Sequence, residues 1–249
     1  MALPPVGAQL IVFGGKYDIN TQTDVILDSI ARAGYAAVEG GARDAALYKQ
    51  KLDERGLVYG GSHTGLRALQ DVTPLVEYLR GVGGSDLCNS GLLRWGDLTA
   101  EDYRQAIPLL NEAGRKLRDE GVRFHYHHHD FEFKKVDGGK SGMDLLMEGL
   151  DPEAVDFCID VAWVQKGGED PAQYLVRHKD RIGYLHFKDF NDAGWIELGQ
   201  GKVDFAAIMQ VLPDITGARW VMIEQDSTAI DPVDSVAISR RYLKDTFGY

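Results

Sequence analysis

VDFCIDVAWVQKGGEDPAQYLVRHKDRIGYLHF, residues 155–187, reads as two short apolar strands with a helix between them. Residues 155–160 (VDFCID) and 182–187 (IGYLHF) are β-branched and aromatic runs of strand length, and 171–178 carries helical period. Each strand ends on a side chain that can bind a metal, Asp160 in the first and His186 in the second. Strand, helix and a second strand with the same kind of ending are the signature of a βα unit repeated in parallel.

Working outward, the same ending recurs on both sides. RFHYHHH (123–129) supplies His127, and RWVMIE (219–224) supplies Glu224. The positions 127, 160, 186 and 224 are spaced by about one strand, one helix and two loops. If the strands are parallel and close into a barrel, all four side chains meet at one rim. Further strands are expected at 8–13, 35–39, 57–62, 85–90 and 121–127, with helices at 22–33, 42–55, 68–81, 99–119, 141–149, 203–211 and 232–246. Thr99 with Asp102, and Ser141 with Asp144, have the spacing of N-terminal capping boxes. Gly34, Gly56 and Gly121 follow helical runs, where a left-handed C-terminal residue is needed. Eight strands alternating with eight helices in 249 residues predict a single (β/α)₈ TIM barrel domain over 1–249. A doubly wound sheet is disfavoured because GGKYDIN (14–20), after the first strand, lacks the GxGxxG spacing, and GQGKVDF (199–205) is too short a match to a phosphate loop.

Period-two parity sorts the strand residues by face. Glu224 shares a face with Met222, Asp160 with Cys158, and Lys188 with His186; His125, His127 and His129 share another, leaving Tyr126 and His128 opposite. A lone carboxylate at a strand end is more often a helix N-cap than a ligand, and HYHHHD could be a surface histidine tract. The conjunction of four such ends favours a site instead, with His125, the deepest, read as a hydrogen-bonded core residue. Two carboxylates and one or two imidazoles suit a hard or borderline divalent ion such as Mn²⁺, Mg²⁺ or Co²⁺. Such an ion polarises a substrate carbonyl and acidifies the neighbouring C–H, and a carboxylate can then move the proton.

The net charge of −11 argues against binding a nucleic-acid backbone or an anionic membrane surface. No run of about 18 apolar residues appears and the N-terminus lacks a basic and then apolar leader, so the reading is a cytoplasmic protein. The two cysteines, Cys88 and Cys158, lie in separate apolar runs and read as buried thiols.

YHHHDFEF (126–133), residues 156–189, ELGQGKVDFAAIM (197–209) and WVMIEQD (220–226), with YAAVEG (35–40) and GGSHTGL (60–66), resemble the sugar phosphate isomerase/epimerase family with its xylose isomerase-like barrel. The resemblance covers most of the second half of the chain and is specific at superfamily level. It implies one divalent ion, Mn²⁺ foremost with Mg²⁺, Co²⁺ or Zn²⁺ as alternatives, held by His127, Asp160, His186 and Glu224. Many relatives carry Glu where His127 stands, serving as ligand and as one of two acid/base carboxylates. With His127 there, Glu224 alone keeps that role, and His127, His129 or Glu132 would have to replace the other. Trp163 occupies a place where relatives often carry a substrate-contacting His, and could stack on a sugar face. His63 matches a position near the substrate, and His129, Lys188 and Glu39 are further substrate-binding candidates.

The function expected is a metal-dependent isomerase or epimerase acting on a sugar or keto-sugar, with Glu224 and His127 catalytic. Elimination or hydration on 3-keto-sugar derivatives is the alternative raised by the changed strand-five residue. A non-catalytic sugar-binding barrel is kept open by the same change. An endonuclease IV-type repair enzyme fits worse, because the first strands carry few ligands and the charge is wrong. Barrel faces suit a homodimer, which the pattern does not itself select.

Overall fold

All eight expected strands form, and all are parallel. In the computed structural model, which describes residues 3–92 and 94–249, they are β1 (Val6–Gln9), β2 (Ala37–Glu39), β3 (Val58–Thr64), β4 (Asp86–Ser90), β5 (Arg123–His127), β6 (Asp156–Asp160), β7 (Ile182–Phe187) and β8 (Val221–Ile223). Each pairs with its neighbours in sequence order, and β1 closes the barrel by pairing with β8 in the register Val6 to Val221.

The helices lie outside: α1 (Thr23–Ala33), α2 (Ala45–Asp53), α3 (Thr73–Val82), α4 (Ala100–Asp119), α5 (Gly142–Gly149), α6 (Val161–Lys166), α7 (Pro171–His178), α8 (Phe205–Val211) and α9 (Pro232–Phe247). Both capping boxes form, at Thr99 with Asp102 and at Ser141 with Asp144. Along α4, Tyr103, Ala106, Leu110, Ala113 and Leu117 recur at helical spacing and are buried.

Face parity holds throughout. Ala37, Cys88, Cys158, Tyr184 and Met222 fill the barrel interior as a small cluster of their own, while Phe157, Ile159, Val221 and Ile223 pack outward in the main core. At Gly60 a Cβ would crowd the Met222 methyl, the flexible end of that side chain. Both cysteines are buried and free. This plug closes the barrel from below and leaves the C-terminal ends of the strands as a mouth.

Several boundaries differ from expectation. The run expected as a strand over 8–13 ends at Gln9, and Leu10–Gly15 is a 3-10 helix whose first turn is capped by the Gln9 side chain. Val12 and Phe13 are buried there all the same, so an apolar run alone did not distinguish the two conformations. The helix expected over 68–81 is a 3-10 turn, Leu66–Gln70, followed by α3, which starts where Pro74 fits its first turn. The short α6 and two antiparallel hairpins, Lys135–Asp137 with Lys140–Ser141 and Asp189–Asn191 with Gly194–Ile196, were not foreseen. Among the described residues no helix is long and apolar enough to cross a membrane.

Candidate active site

His127 ends β5, Asp160 ends β6, His186 lies in β7, and Glu224 follows β8, where its N–H donates to Phe187 O at 3.0 Å. One ligand atom from each falls within 4.8 Å of those of the other three, and all four residues are buried. The barrel closure therefore brings together the residues predicted from strand spacing.

Asp160 does two jobs. Its Oδ1 accepts the N–H groups of Ala162 and Trp163 at 2.9 and 3.0 Å and so caps α6, while Oδ2 is buried without a hydrogen-bond partner. The N-cap and ligand readings are compatible. The backbone N–H of Asp160 donates to His128 Nε2 at 3.3 Å, which ties β5 to β6 from the outward face.

Both ring nitrogens of His127 are buried without a partner. Burial, with the nearby His186 and His63, holds its pKa well below the usual imidazole value, so the ring is neutral and offers a lone pair. Its Nε2 lies 3.9 Å from Asp160 Oδ2 and 3.8 Å from Glu224 Oε2. His186 stands between two carboxylates: Nδ1 contacts Glu224 Oε2, and Nε2 lies 2.9 Å from Glu39 Oε2. Burial, which lowers its pKa, is outweighed by Glu39 and Glu224. Orphaned polar atoms on His127 and Asp160, costly unless bound, together with a His, Asp, His, Glu donor set, fit a divalent ion at this point.

Lys188 is fully buried beside the four. Its ammonium is 2.7 Å from Asp226 Oδ1, 3.4 Å from Glu224 Oε1 and 3.9 Å from Asp160 Oδ2. It also lies 4.9 Å from the Trp163 ring centre and 4.2 Å from that of Trp195, and these two rings meet edge to face at 4.7 Å. Trp195 rides on the Asp189–Ile196 hairpin and forms a roof with Trp163. His129 packs edge-on against Trp163 and His127, stacks on Phe131 and is covered by the exposed Trp95. Its Nδ1 is buried without a partner.

The remaining expectations sort clearly. His63 is half-buried, pairs with Glu39 through Nε2, and has Nδ1 2.5 Å from Ser90 Oγ. Burial, which lowers its pKa, is outweighed by Glu39, and the value rises to about 10. It borders a cavity of about 470 Å³ over β1 to β3, lined also by Gln9, Arg43 and Tyr78. Glu39, expected to touch a substrate hydroxyl, is buried with its oxygens on His63 and His186 and lines the same cavity. Glu132, weighed as a substitute for the strand-five Glu of relatives, is fully buried with both oxygens engaged. Tyr126 OH donates to its Oε1 and the His129 N–H to its Oε2, both at 2.9 Å, so it clamps the loop after β5. His125 is a core residue, paired with Asp86 at 3.0 Å.

Asp226, Trp195 and Trp95 escaped the sequence reading. Asp226 stands two residues past Glu224, so the parity that joined Lys188 to His186 could have found it. Trp195 carries no such signal, because only the hairpin brings it over Lys188.

Residues 27–246 match the profile of the family described as xylose isomerase-like TIM barrel. The chain belongs to this family. An inosose dehydratase of Geobacillus kaustophilus (strain HTA426) is 25% identical over 92% of this chain and 88% of its own length. A second, from Clostridium beijerinckii, matches 60% of this chain and only 56% of its own length. The crystal structure of a sugar phosphate isomerase/epimerase from Parabacteroides distasonis superposes with a TM-score of 0.79 at 22% identity, covering 98% of this chain and 94% of that one. That of the IOLI protein with a binding zinc atom gives 0.76 at 12% identity, covering 97% of each. Dehydratases and isomerase/epimerases thus both appear among the sugar-processing relatives of this barrel.

Proposed function

We propose that this protein is a divalent-metal-dependent enzyme that removes a proton beside the carbonyl of a keto-sugar or cyclic keto-polyol and then expels water. The observation that carries the reading is the buried pair of Glu224 and Lys188, a carboxylate and an ammonium 3.4 Å apart, with His127 at the strand-five position where an epimerase of this family carries its second carboxylate. The similarity to an inosose dehydratase along 92% of the chain supports it and makes inosose the first substrate to try.

His127, Asp160, His186 and Glu224 would hold the ion. A bound ion of this kind supplies Lewis-acid polarisation of a carbonyl and its neighbouring hydroxyl, and the zinc atom of a structural relative supports such a site. Glu224 is ionised, since burial, which raises its pKa, is outweighed by Lys188 and His186. Its Oε1, the oxygen turned from His186, takes the proton from carbon. The electron pair left on carbon forms the new double bond as the adjacent C–O bond breaks, and the departing hydroxyl takes a proton from the Lys188 ammonium. Glu224 returns its proton to Lys188 across 3.4 Å, and the balance is loss of one water. Trp163 and Trp195 shield Lys188 from solvent, while His129, through its unpartnered Nδ1, faces a substrate hydroxyl.

Isomerisation or epimerisation is the second reading, supported by the likeness to a sugar phosphate isomerase/epimerase. It requires a group to return the proton, and His129, with its unpartnered Nδ1, is the candidate. Incubation of the manganese-loaded protein with inosose and with ketohexoses in D₂O, followed by NMR, separates the readings. Water loss from inosose is expected. A deuterated epimer without water loss overturns elimination, and binding without exchange marks a sugar-binding barrel.

A further inference from the structure

We infer that Glu39 is a positioning residue that selects which nitrogen of His186 faces the metal, and that His63 and Ser90 lock it in place. The inference rests on the metal site of the proposed function and concerns a residue outside the four ligands.

The geometry runs in one direction from the cavity to the site. Ser90 Oγ holds His63 Nδ1 at 2.5 Å, His63 Nε2 pairs with Glu39 Oε1, and Glu39 Oε2 meets His186 Nε2 at 2.9 Å. Each of these groups belongs to a different strand: β4, β3, β2 and β7. The chain therefore spans the mouth and fixes four strand ends relative to one another. Glu39 is buried, and its two oxygens face two different imidazoles, His63 and His186.

An imidazole binds a metal through a nitrogen that carries a lone pair, and the other nitrogen then carries hydrogen. Glu39 accepts that hydrogen from Nε2. Nδ1 faces Glu224 and points into the group of four ligands, and an ion bound there would displace the hydrogen that Nδ1 shares with Glu224 and take its lone pair. A ring free of Glu39 could present Nε2–H or Nδ1–H equally, and could turn about its side-chain bonds. Carboxylates placed behind ligating histidines in this way raise ligand basicity and hold the tautomer, and their loss typically weakens metal affinity by roughly 10- to 100-fold. Glu39 meets this description as a residue behind His186, outside the group of four ligands.

The test measures metal binding and tautomer, not turnover. Zinc and manganese affinities are measured by calorimetry for wild type, Glu39→Ala and Glu39→Gln, and ¹⁵N-histidine NMR of the zinc-loaded proteins reports the protonated nitrogen of His186. The expected result is a loss of roughly 10- to 100-fold for Glu39→Ala. Glu39→Gln, whose carbonyl still accepts from Nε2–H, recovers most of that affinity. In zinc-loaded wild type, His186 carries hydrogen on Nε2. Unchanged affinity in a folded Glu39→Ala protein, or hydrogen on Nδ1 in zinc-loaded wild type, overturns the inference while leaving the metal site standing. Should Glu39→Ala fail to fold, the wild-type tautomer and the Glu39→Gln affinity decide. If wild type binds neither ion, the proposed function falls first and this inference with it.

Discussion

The Lys188 ammonium stands 3.4 Å from Glu224 Oε1 and 2.7 Å from Asp226 Oδ1, and Lys188 is fully buried. Burial alone lowers a lysine pKa, yet Glu224, Asp160 and Asp226 together keep this one raised. The result is a permanent proton donor set beside an ionised acceptor. In the proposed elimination, this ammonium and this carboxylate are the acid and the base.

Replacing Lys188 by Met keeps the apolar stem under Trp163 and Trp195 and removes only the proton donor. Water loss is expected to fall by roughly 10²- to 10⁴-fold, whereas deuterium exchange at the carbon beside the carbonyl persists, because Glu224 still accepts that proton. Leaving Asp226 and Glu224 without their counter-ion also lowers stability, by about 3–5 kcal/mol. Parallel loss of exchange and elimination would assign Lys188 to binding instead.

Glu224→Gln removes the acceptor. Exchange and water loss both vanish while circular dichroism shows the barrel intact, and retained turnover sinks the mechanism. For the ion, EDTA treatment abolishes activity, and adding Mn²⁺ or Zn²⁺ restores it and raises Tm; at a hundredfold excess over Kd the stabilisation is about 2.7 kcal/mol. A chelated protein that keeps its activity and its Tm argues against any metal at His127, Asp160, His186 and Glu224.

The barrel was legible because each strand is a short apolar run whose alternate residues face opposite layers. Cys158 and Met222 fell inside, and Phe157 and Ile223 outside, as parity required. The four-residue site was legible for the same reason, since strand ends in a closed parallel sheet can only converge. What parity could not supply was the partner of each side chain. Glu39 and Glu132 are carboxylates near the mouth, and only the folded chain shows one held by two imidazoles and the other by a tyrosine and a backbone N–H. The roof was illegible because Trp195 reaches Lys188 through a hairpin with no long period of its own.

Glu132 gives the fold a pH dependence of stated sign. Burial outweighs the donors on its oxygens and raises its pKa from 4.5 to about 7. A carboxyl whose folded pKa is raised contributes stability that is complete below about 4.5 and is lost as pH climbs through about 7. The shift corresponds to about 3 kcal/mol. Thermal melts at pH 5 and pH 8 should therefore show wild type losing more stability on the alkaline side than Glu132→Gln, and parallel melts would mean that Glu132 does not change charge between these pH values.

Asp189 governs the roof. Its carboxylate accepts N–H groups from Phe190 at 2.9 Å, Gly199 and Gly201 at 3.0 Å and Val203 at 3.1 Å, and so folds the Asp189–Ile196 hairpin and the loop after it around one buried anion. Gly201 is required beside it, because a Cβ there would overlap the carboxylate. Asp189→Ala strands these donors, with a cost of about 3 kcal/mol. The loss is local: amide hydrogen exchange should accelerate at Gly199, Gly201 and Val203 while strands β5 to β8 stay protected. Trp195 then no longer holds its place over Lys188, so KM rises several-fold with the four-residue site unaltered. Asp189→Asn, with one acceptor oxygen left, falls between the two. Unchanged exchange at these amides would show that the hairpin stands without Asp189, and an unchanged KM that Trp195 is not part of the substrate's surroundings.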